Sequence, residues 1–148
     1  MNPEERNAVY RLAMGARDSG QAEEAINLLR RLVAEGSKNP RHVSLLGLLM
    51  VTRGRSRREG LTLCQRAVVL GIYDPQVYLN LARAHAHVGQ RGKAVQVLRK
   101  GLAFAPEHRG LLREIEKQGP RRRPVVAALS RDHFLNRYLG RVRARLSG

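Results

Sequence analysis

The sequence predicts an all-α fold, a short right-handed α-solenoid of three stacked helix-turn-helix hairpins with a C-terminal capping helix. Three stretches of the chain align on one another at spacings of 34 and 35 residues. In each stretch a small residue is followed seven residues later by a glycine: Ala13 and Gly20, Gly47 and Gly54, Ala82 and Gly89. Helical periodicity runs through all three stretches, and there is almost no strand pattern. A repeat of this length is typical of stacked helical hairpins, and so of a binding scaffold rather than a catalytic domain built around one pocket.

Start and stop signals place the individual helices. They are expected at about residues 4–18 and 21–35, 41–53 and 57–70, and between residues 75 and 105–106 for the third hairpin, with a further helix at 109–118. The third hairpin begins with Asp74 as N-cap and Pro75 at the first helical position, where proline lacks only a donor that is unpaired anyway. The last helix is too short to begin a full repeat, so we expect it to cap the stack.

The second helices of the hairpins also align, which predicts their buried positions. Three columns hold small or apolar residues: Ala25, Gly60 and Ala94; Leu29, Cys64 and Leu98; Leu32, Ala67 and Gly101. The small residues of the first helices are expected to let the two helices of a hairpin approach closely. The leucines that precede them, Leu12, Leu46 and Leu81, are expected to fill the space between hairpins. Cys64 is therefore predicted to be a buried, inert thiol.

These positions resemble the tetratricopeptide repeat over roughly residues 6–118. The third copy fits best, with a bulky residue, Leu, a small residue, the turn glycine, Ala, Leu and a closing proline at Tyr78, Leu81, Ala82, Gly89, Ala94, Leu98 and Pro106. His85 stands where the family prefers tyrosine, and Gly101 where it prefers alanine. The first copy has Val9, Leu12, Ala13, Ala16, Gly20, Ala25, Leu29 and Leu32. The second copy, with Val43, Leu46, Gly47, Met50 and Gly54, is the most divergent, since its turn is one residue longer and Gly60 replaces the usual alanine.

The resemblance implies a concave groove, lined by the first helices, that binds a peptide, an amphipathic helix or an acidic segment of a partner protein. The groove would display Asn7, Tyr10, Met14, Arg17, Asp18, Arg41, Ser44, Leu48, Val51, Thr52, Gln76, Leu79, Arg83 and His87. Tyr10, Met14, Leu48 and Val51 would form an apolar floor, with arginines at its edges. The alternative is that several of these residues pack against neighbouring helices or the tail. The main prediction is a non-enzymatic scaffold or adaptor.

Positive charge is unevenly distributed along the chain. Lys and Arg number 28 against 12 Asp and Glu, a net charge of +16. Residues 1–36 carry five basic and six acidic side chains (−1), residues 37–118 fifteen and five (+10), and residues 119–148 eight and one (+7). Such a field attracts polyanions. Because Arg outnumbers Lys 24 to 4, coding bias of a GC-rich genome is an alternative explanation.

Nucleic-acid binding is an alternative function that would use arginines on the convex side and in the tail. Its phosphate contacts would be Arg53, Arg55, Arg57, Arg58 and Arg121 to Arg123. The chain has only two phenylalanines and four tyrosines, so it lacks a stacking platform for single strands, and it has no recognised reading helix for duplexes. Such binding would be nonspecific and would weaken steeply with salt.

The C-terminal part is predicted to be separate from a repeat domain over residues 1–118. Residues 119–124 form a Pro/Arg linker, and residues 125–148 a basic amphipathic helix, with Ser130 as a plausible N-cap. Its candidate contact residues are Phe134, Leu135, Tyr138, Arg141 and Val142, with Leu139 and Leu146 on the same apolar face. Three alternatives stay open: docking on the last hairpin, binding to an anionic membrane surface, and docking on another protein.

No catalytic or cofactor pattern accompanies these features. Cys64 has no recognisable nucleophile partners, and His85 and His87 point to different faces of one helix, so no metal site and no cofactor are predicted. The acidic residues are expected mostly on outer faces. A single cysteine, an acidic N-terminus and the lack of a long apolar run predict a cytoplasmic protein. The sequence leaves the oligomeric state open.

Overall fold

Seven helices make up the part of the chain that the structure, a computed structural model, describes: residues 1–54 and 56–118. They are α1 (Pro3–Asp18), α2 (Ala22–Ala34), α3 (Pro40–Thr52), α4 (Arg57–Leu70), α5 (Pro75–His87), α6 (Arg91–Phe104) and α7 (Arg109–Gln118). No strand occurs over these two ranges. The all-α prediction is confirmed, and the bounds of α4 and α7 are those expected. The predicted linker and C-terminal helix, at residues 119–148, lie outside the described residues, as does Arg55.

The first helices of the three hairpins begin in the same way. Each starts with a proline preceded by a polar N-cap, in the pairs Asn2-Pro3, Asn39-Pro40 and Asp74-Pro75. The Asp74 carboxylate accepts a hydrogen bond from the backbone N–H of Gln76 at 3.0 Å, which confirms the predicted cap. Each cap satisfies a backbone donor that a helix start would otherwise leave unpaired. Three of the helix starts are therefore encoded locally.

The turn glycines of the three hairpins share one backbone conformation. Gly20, Gly54 and Gly89 have φ angles of 79°, 74° and 82°. This is the left-handed region, in which a Cβ atom is strained and glycine is not. The recurrence of glycine seven residues after each small residue therefore has a backbone cause. It closes each first helix so that the second can fold back on it.

The helices form two layers, which is the arrangement of a short α-solenoid. Within each hairpin α1 packs on α2, α3 on α4 and α5 on α6, while α3 contacts α5 and α5 contacts α7 across hairpins. All nine residues of the three predicted columns in the second helices are buried. Ala13, Gly47 and Ala82 are also buried. The predicted packing within the hairpins is therefore confirmed.

The glycines of the divergent second hairpin permit a particularly close approach of two backbones. A Cβ atom on Gly47 would lie 2.5 Å from the carbonyl oxygen of Gly60, and one on Gly60 would lie 2.6 Å from that of Gly47. The two backbones can approach this closely only because both positions, 47 and 60, are glycine. Gly101 departs from the usual alanine for a related reason, because its missing Cβ leaves room for the side chain of Leu111 in α7.

One packing prediction was wrong. Leu46 and Leu81 are buried as expected, but Leu12 is 63% exposed. Leu46 and Leu81 each face a neighbouring hairpin. Leu12 belongs to the first hairpin of the stack, so the described residues place no preceding hairpin against it. The repeat pattern predicts a leucine at this position but not whether a neighbour covers it.

Candidate functional site

Side-chain contacts join consecutive first helices along one face of the solenoid. The rings of Tyr10 in α1 and His42 in α3 lie 4.4 Å apart between centroids. Farther along, Asn80 in α5 donates a hydrogen bond to Ser44 in α3. Four of the predicted binding residues, Tyr10, Arg41, Gln76 and Arg83, take part in the contacts along this surface. We call it the groove face.

At one end of the groove face, Arg41 is held by the N-cap of the next hairpin. Its Nε donates to Asp74 Oδ2 at 2.7 Å, and its Nη2 donates to Oδ1 at 3.4 Å. The same Asp74 side chain caps α5, so one carboxylate fixes both a helix start and an arginine. Arg17 forms a local pair with Asp18 at 2.7 Å. Burial raises the pKa of Tyr10, the charges of Arg41 and Arg17 oppose that rise, and Asp74 adds to it.

The middle of the groove face rests on a buried polar network. Gln76 donates to the Asn80 side-chain oxygen at 3.0 Å, and Asn80 donates to Ser44 Oγ at 3.0 Å. Ser44 Oγ in turn donates to the carbonyl oxygen of Arg41 at 3.2 Å. Because buried polar groups need partners, this chain of bonds fixes α3 relative to α5. This hydrogen-bond network thereby holds in place the two helices that carry the groove face.

The other end is closed by α7. Arg83 in α5 donates from Nε to Glu114 Oε2 at 3.1 Å, and Gln118 donates to Glu114 Oε1 at 3.2 Å. Burial by itself would raise the pKa of Glu114, but the hydrogen bonds from Gln118 and Arg83 and the nearby positive charges outweigh it, so that the pKa is lowered. The capping helix therefore adds a carboxylate to the groove face.

Acid is expected to weaken the attachment of α7. Since the pKa of Glu114 is lower in the folded state, its ionised form contributes stability above the usual glutamate pKa, and that contribution is lost as the pH falls through the lowered value. Urea unfolding of wild type and Glu114→Gln should differ at neutral pH, and the difference should shrink as the pH is lowered through the pKa of Glu114. Glu116→Gln, at an exposed position of the same helix, is the control. A Glu114→Gln difference that is equal at both pH values would contradict this assignment.

The structure separates the predicted groove residues into accessible and buried sets. The exposed or half-buried ones are Asn7, Tyr10, Met14, Arg17, Asp18, Arg41, Leu48, Thr52, Gln76, Arg83 and His87. Ser44, Val51 and Leu79 are buried and so present no surface to a ligand, which corrects their prediction as groove residues. The predicted tail contacts Phe134, Leu135, Tyr138, Arg141 and Val142 lie outside the described residues.

Each of the three buried positions has an identifiable cause. Ser44 is covered because it accepts the hydrogen bond from Asn80. The Val51 side chain fills the space over Gly60, and that of Leu79 lies over Gly110 at the start of α7. In both cases the glycine on the facing helix has no side chain, which leaves room for the larger side chain to be buried. The pattern of the first helices alone does not reveal this, because the facing glycines belong to other helices.

Four residues of the groove face were missed by sequence reasoning: His42, Asp74, Asn80 and Glu114. The expectation that acidic residues lie mostly on outer faces was wrong for Asp74 and Glu114, which pair with groove arginines. Asp74 was recognised only as a cap. Only the repeat spacing could have pointed to two of these residues. Asn80 and Glu114 occupy the same position of the repeat, which Arg11 and Leu45 fill in the earlier copies. This first-helix position faces the neighbouring hairpin.

The cysteine and the histidine considered as possible reactive groups are buried and take part in packing or hydrogen bonds. Cys64 is fully buried, its thiol lies 3.5 Å from the carbonyl oxygen of Ser44, and burial raises its pKa to about 12. The prediction of a buried thiol is confirmed. His85 is buried and hydrogen-bonded to Gln90 at 2.8 Å. Across residues 1–54 and 56–118, no three potential metal ligands cluster. None of the helices in those ranges combines the length and apolar character needed to cross a bilayer.

Comparison with solved structures identifies the fold. The first TPR of Spaghetti (RPAP3) bound to the HSP90 peptide SRMEEVD superposes with a TM-score of 0.67 at 15% identity, over 80% of this chain and 93% of that one. The second TPR domain of human RPAP3, in complex with the HSP70 peptide SGPTIEEVD, gives 0.66 at 17% identity, over 81% and 100%. The protein therefore has the tetratricopeptide-repeat fold that its sequence predicts.

A larger protein contains the same fold. The O-GlcNAc transferase of Thermobaculum terrenum, as its K341M mutant, matches with a TM-score of 0.64 at 24% identity. The match covers 74% of this chain but only 22% of the transferase. No family model and no curated protein matches the sequence. The similarity between this chain and the solved structures therefore concerns the fold.

Proposed function

We propose that this protein is a non-enzymatic interaction scaffold that binds a peptide or helix of a partner protein along the groove face. The observation that carries the proposal is the mixed chemistry of that face. Tyr10, Met14 and Leu48 are half-buried apolar side chains, Arg41 is exposed near Tyr10, and Arg83 is exposed on α5. Apolar anchors flanked by charge suit an amphipathic or acidic segment. Two structures with the same fold hold acidic peptides, SRMEEVD and SGPTIEEVD, which supports this choice of ligand.

The ion pairs on the groove face leave the arginines able to bind a ligand. The Arg41 side chain is 56% exposed and that of its partner Asp74 17%, while Arg83 is 43% exposed and Glu114 7%. The carboxylates therefore lie beneath and the guanidinium groups face outward. A guanidinium has five N–H donors, and Asp74 takes two of those of Arg41. The remaining donors are oriented in advance, which lowers the entropy cost of binding a carboxylate.

Affinity capture from a lysate of the source organism tests the proposal. Full-length wild-type protein treated with nuclease should retain a defined protein at moderate and high salt, and the groove variant Tyr10→Ala/Leu48→Ala should lose it. Leu12→Ala is the control, because this leucine is exposed but lies at the end of the stack. Circular dichroism must show that all variants keep their helices.

Other outcomes would assign binding elsewhere. Loss of the partner only on truncation after Gln118 would place the site in residues 119–148. Recovery of salt-labile, nuclease-sensitive material alone would favour nonspecific contacts with nucleic-acid phosphates. Either result would overturn the proposal for the groove face.

A further inference from the structure

A group of apolar side chains at the end of α4 is exposed to solvent. Val69 is 77% exposed, Ile72 51% and Tyr73 78%, and the neighbouring Leu70 is also exposed. We call these four residues the turn patch, because they lie in the last turn of α4 and the connection to α5. The ring of Tyr73 meets that of Phe104 edge-on, with 6.1 Å between centroids, so the patch continues onto the end of α6.

The repeat itself does not require this patch. Counting from the aligned residues Leu29, Cys64 and Leu98, the positions of Val69, Ile72 and Tyr73 are filled in the other two repeats by Ala34, Ser37 and Lys38, and by Ala103, Pro106 and Glu107. The connection after α6 has nearly the same cap conformation as that after α4, with φ and ψ of −130° and 64° at Ala105 against −134° and 61° at Gly71, and it forms without a large apolar side chain at these positions. The end of α2 differs, with Gly36 at a φ of 79°. Packing within the fold therefore does not account for three adjacent exposed apolar residues in the second repeat.

Basic side chains surround the turn patch. Arg66 lies three residues before Val69 on α4, and Lys100 lies four residues before Phe104 on α6, so each shares a helix face with the patch. Arg99 adjoins Lys100, and all three basic side chains are exposed. Among the described residues, no carboxylate forms an ion pair with any of the three. An apolar centre flanked by basic side chains that form no ion pair is complementary to an acidic amphipathic segment.

We propose that the turn patch is a second protein-binding surface, which binds an acidic amphipathic segment of a partner independently of the groove face. The protein's own C-terminal part fits poorly, since residues 119–148 carry eight basic side chains and one acidic side chain. A flat anionic bilayer fits less well than a peptide, because the adjacent turn has Glu107 where the second repeat has Tyr73. A peptide can place its acidic side chains between such groups.

A designed peptide tests the proposal on the full-length protein. The probe has leucine and phenylalanine at helical spacing and glutamate elsewhere, and its counterpart has lysine in place of glutamate. Fluorescence anisotropy should show binding of the glutamate peptide alone. The variant Val69→Ala/Ile72→Ser/Tyr73→Lys, which takes the residues of the first repeat, should bind it about tenfold more weakly or worse. Leu12→Ala should not change its affinity. Tyr10→Ala/Leu48→Ala should leave binding at the turn patch intact, which separates this surface from the groove face.

Backbone NMR shifts of the full-length protein locate the bound peptide. The expected shifts fall on residues 66–73 and 99–104. The proposal is overturned if shifts fall on the groove face alone and not on residues 66–73 and 99–104, if both peptides bind equally, or if neither binds. It is also overturned if Phe134→Ala/Leu135→Ala shifts these signals without peptide, which would identify the chain's own tail as the occupant. A change of these signals with protein concentration would also overturn it, since it would indicate a second copy of the chain as the occupant. In a parallel vesicle-binding assay, a patch variant that binds the peptide normally but no longer binds phosphatidylserine vesicles would overturn it as well.

Discussion

Replacing Gly47 with alanine is expected to lower the free energy of unfolding by about 3 kcal/mol. The added Cβ would lie 2.5 Å from the carbonyl oxygen of Gly60, 2.7 Å from Cys64 Sγ and 2.9 Å from the Cys64 backbone nitrogen. Two of these atoms belong to the backbone of α4, so no side-chain rotation can relieve the contact. The helices must move apart, and this cost exceeds the gain of about 1 kcal/mol from placing alanine in a helix.

Gly15 provides the matched control, because it is also a helical glycine in a first helix. A Cβ at this position would meet nothing within 4 Å. Gly15→Ala should therefore raise the free energy of unfolding by about 0.5–1 kcal/mol. Urea titration followed by circular dichroism measures both variants. Equal effects of the two substitutions would show that the close approach of Gly47 and Gly60 does not limit packing of the second hairpin.

The features predicted correctly from sequence are those fixed within one repeat. The turn glycine depends on local backbone geometry, and its spacing marked the turns of the three hairpins, where Gly20, Gly54 and Gly89 have φ above zero. The cap at Asp74 is equally local. The small-residue columns depend on the two helices of one hairpin, which are also close in sequence. In each case the partners that determine the conformation lie within the repeat itself.

The features missed depend on neighbouring repeats. Arg41 and Asp74 are 33 residues apart, and Arg83 and Glu114 are 31 apart, so each pair joins one hairpin to the next. Leu79 was expected at the surface and is buried because Gly110 of α7 admits it, whereas Val51 is buried over Gly60 within its own hairpin. Such contacts depend on which residue each neighbour supplies. The sequence therefore predicted which face would be the candidate site more accurately than which side chains would be accessible on it.

The two partners of the Arg41–Asp74 pair are expected to affect ligand affinity in opposite directions. Under the proposed function, Arg41→Gln removes a charged donor and should weaken binding of an acidic partner by about tenfold. Asp74→Asn removes a negative charge that would repel the carboxylate of the ligand. Asparagine is also a good N-cap, so the start of α5 is kept. Its NH2 group replaces Oδ2 and cannot accept from Arg41 Nε, so Arg41 loses its shorter bond and is released toward the ligand. Binding should tighten by about fivefold, the equivalent of about 1 kcal/mol.

Tyr10 gives a second readout that needs no partner. Arg41 lowers the pKa of Tyr10 and Asp74 raises it, so Arg41→Gln should raise that pKa further and Asp74→Asn should reduce it. NMR titration of the Tyr10 ring in the full-length protein measures the shift, and calorimetry with the partner retained by the groove measures affinity. Opposite changes in the pKa with no change in affinity would show that the pair has formed but does not contact the ligand. Both readouts must change sign together if Arg41 binds the partner's carboxylate, because the same guanidinium charge acts on the tyrosine and on the ligand.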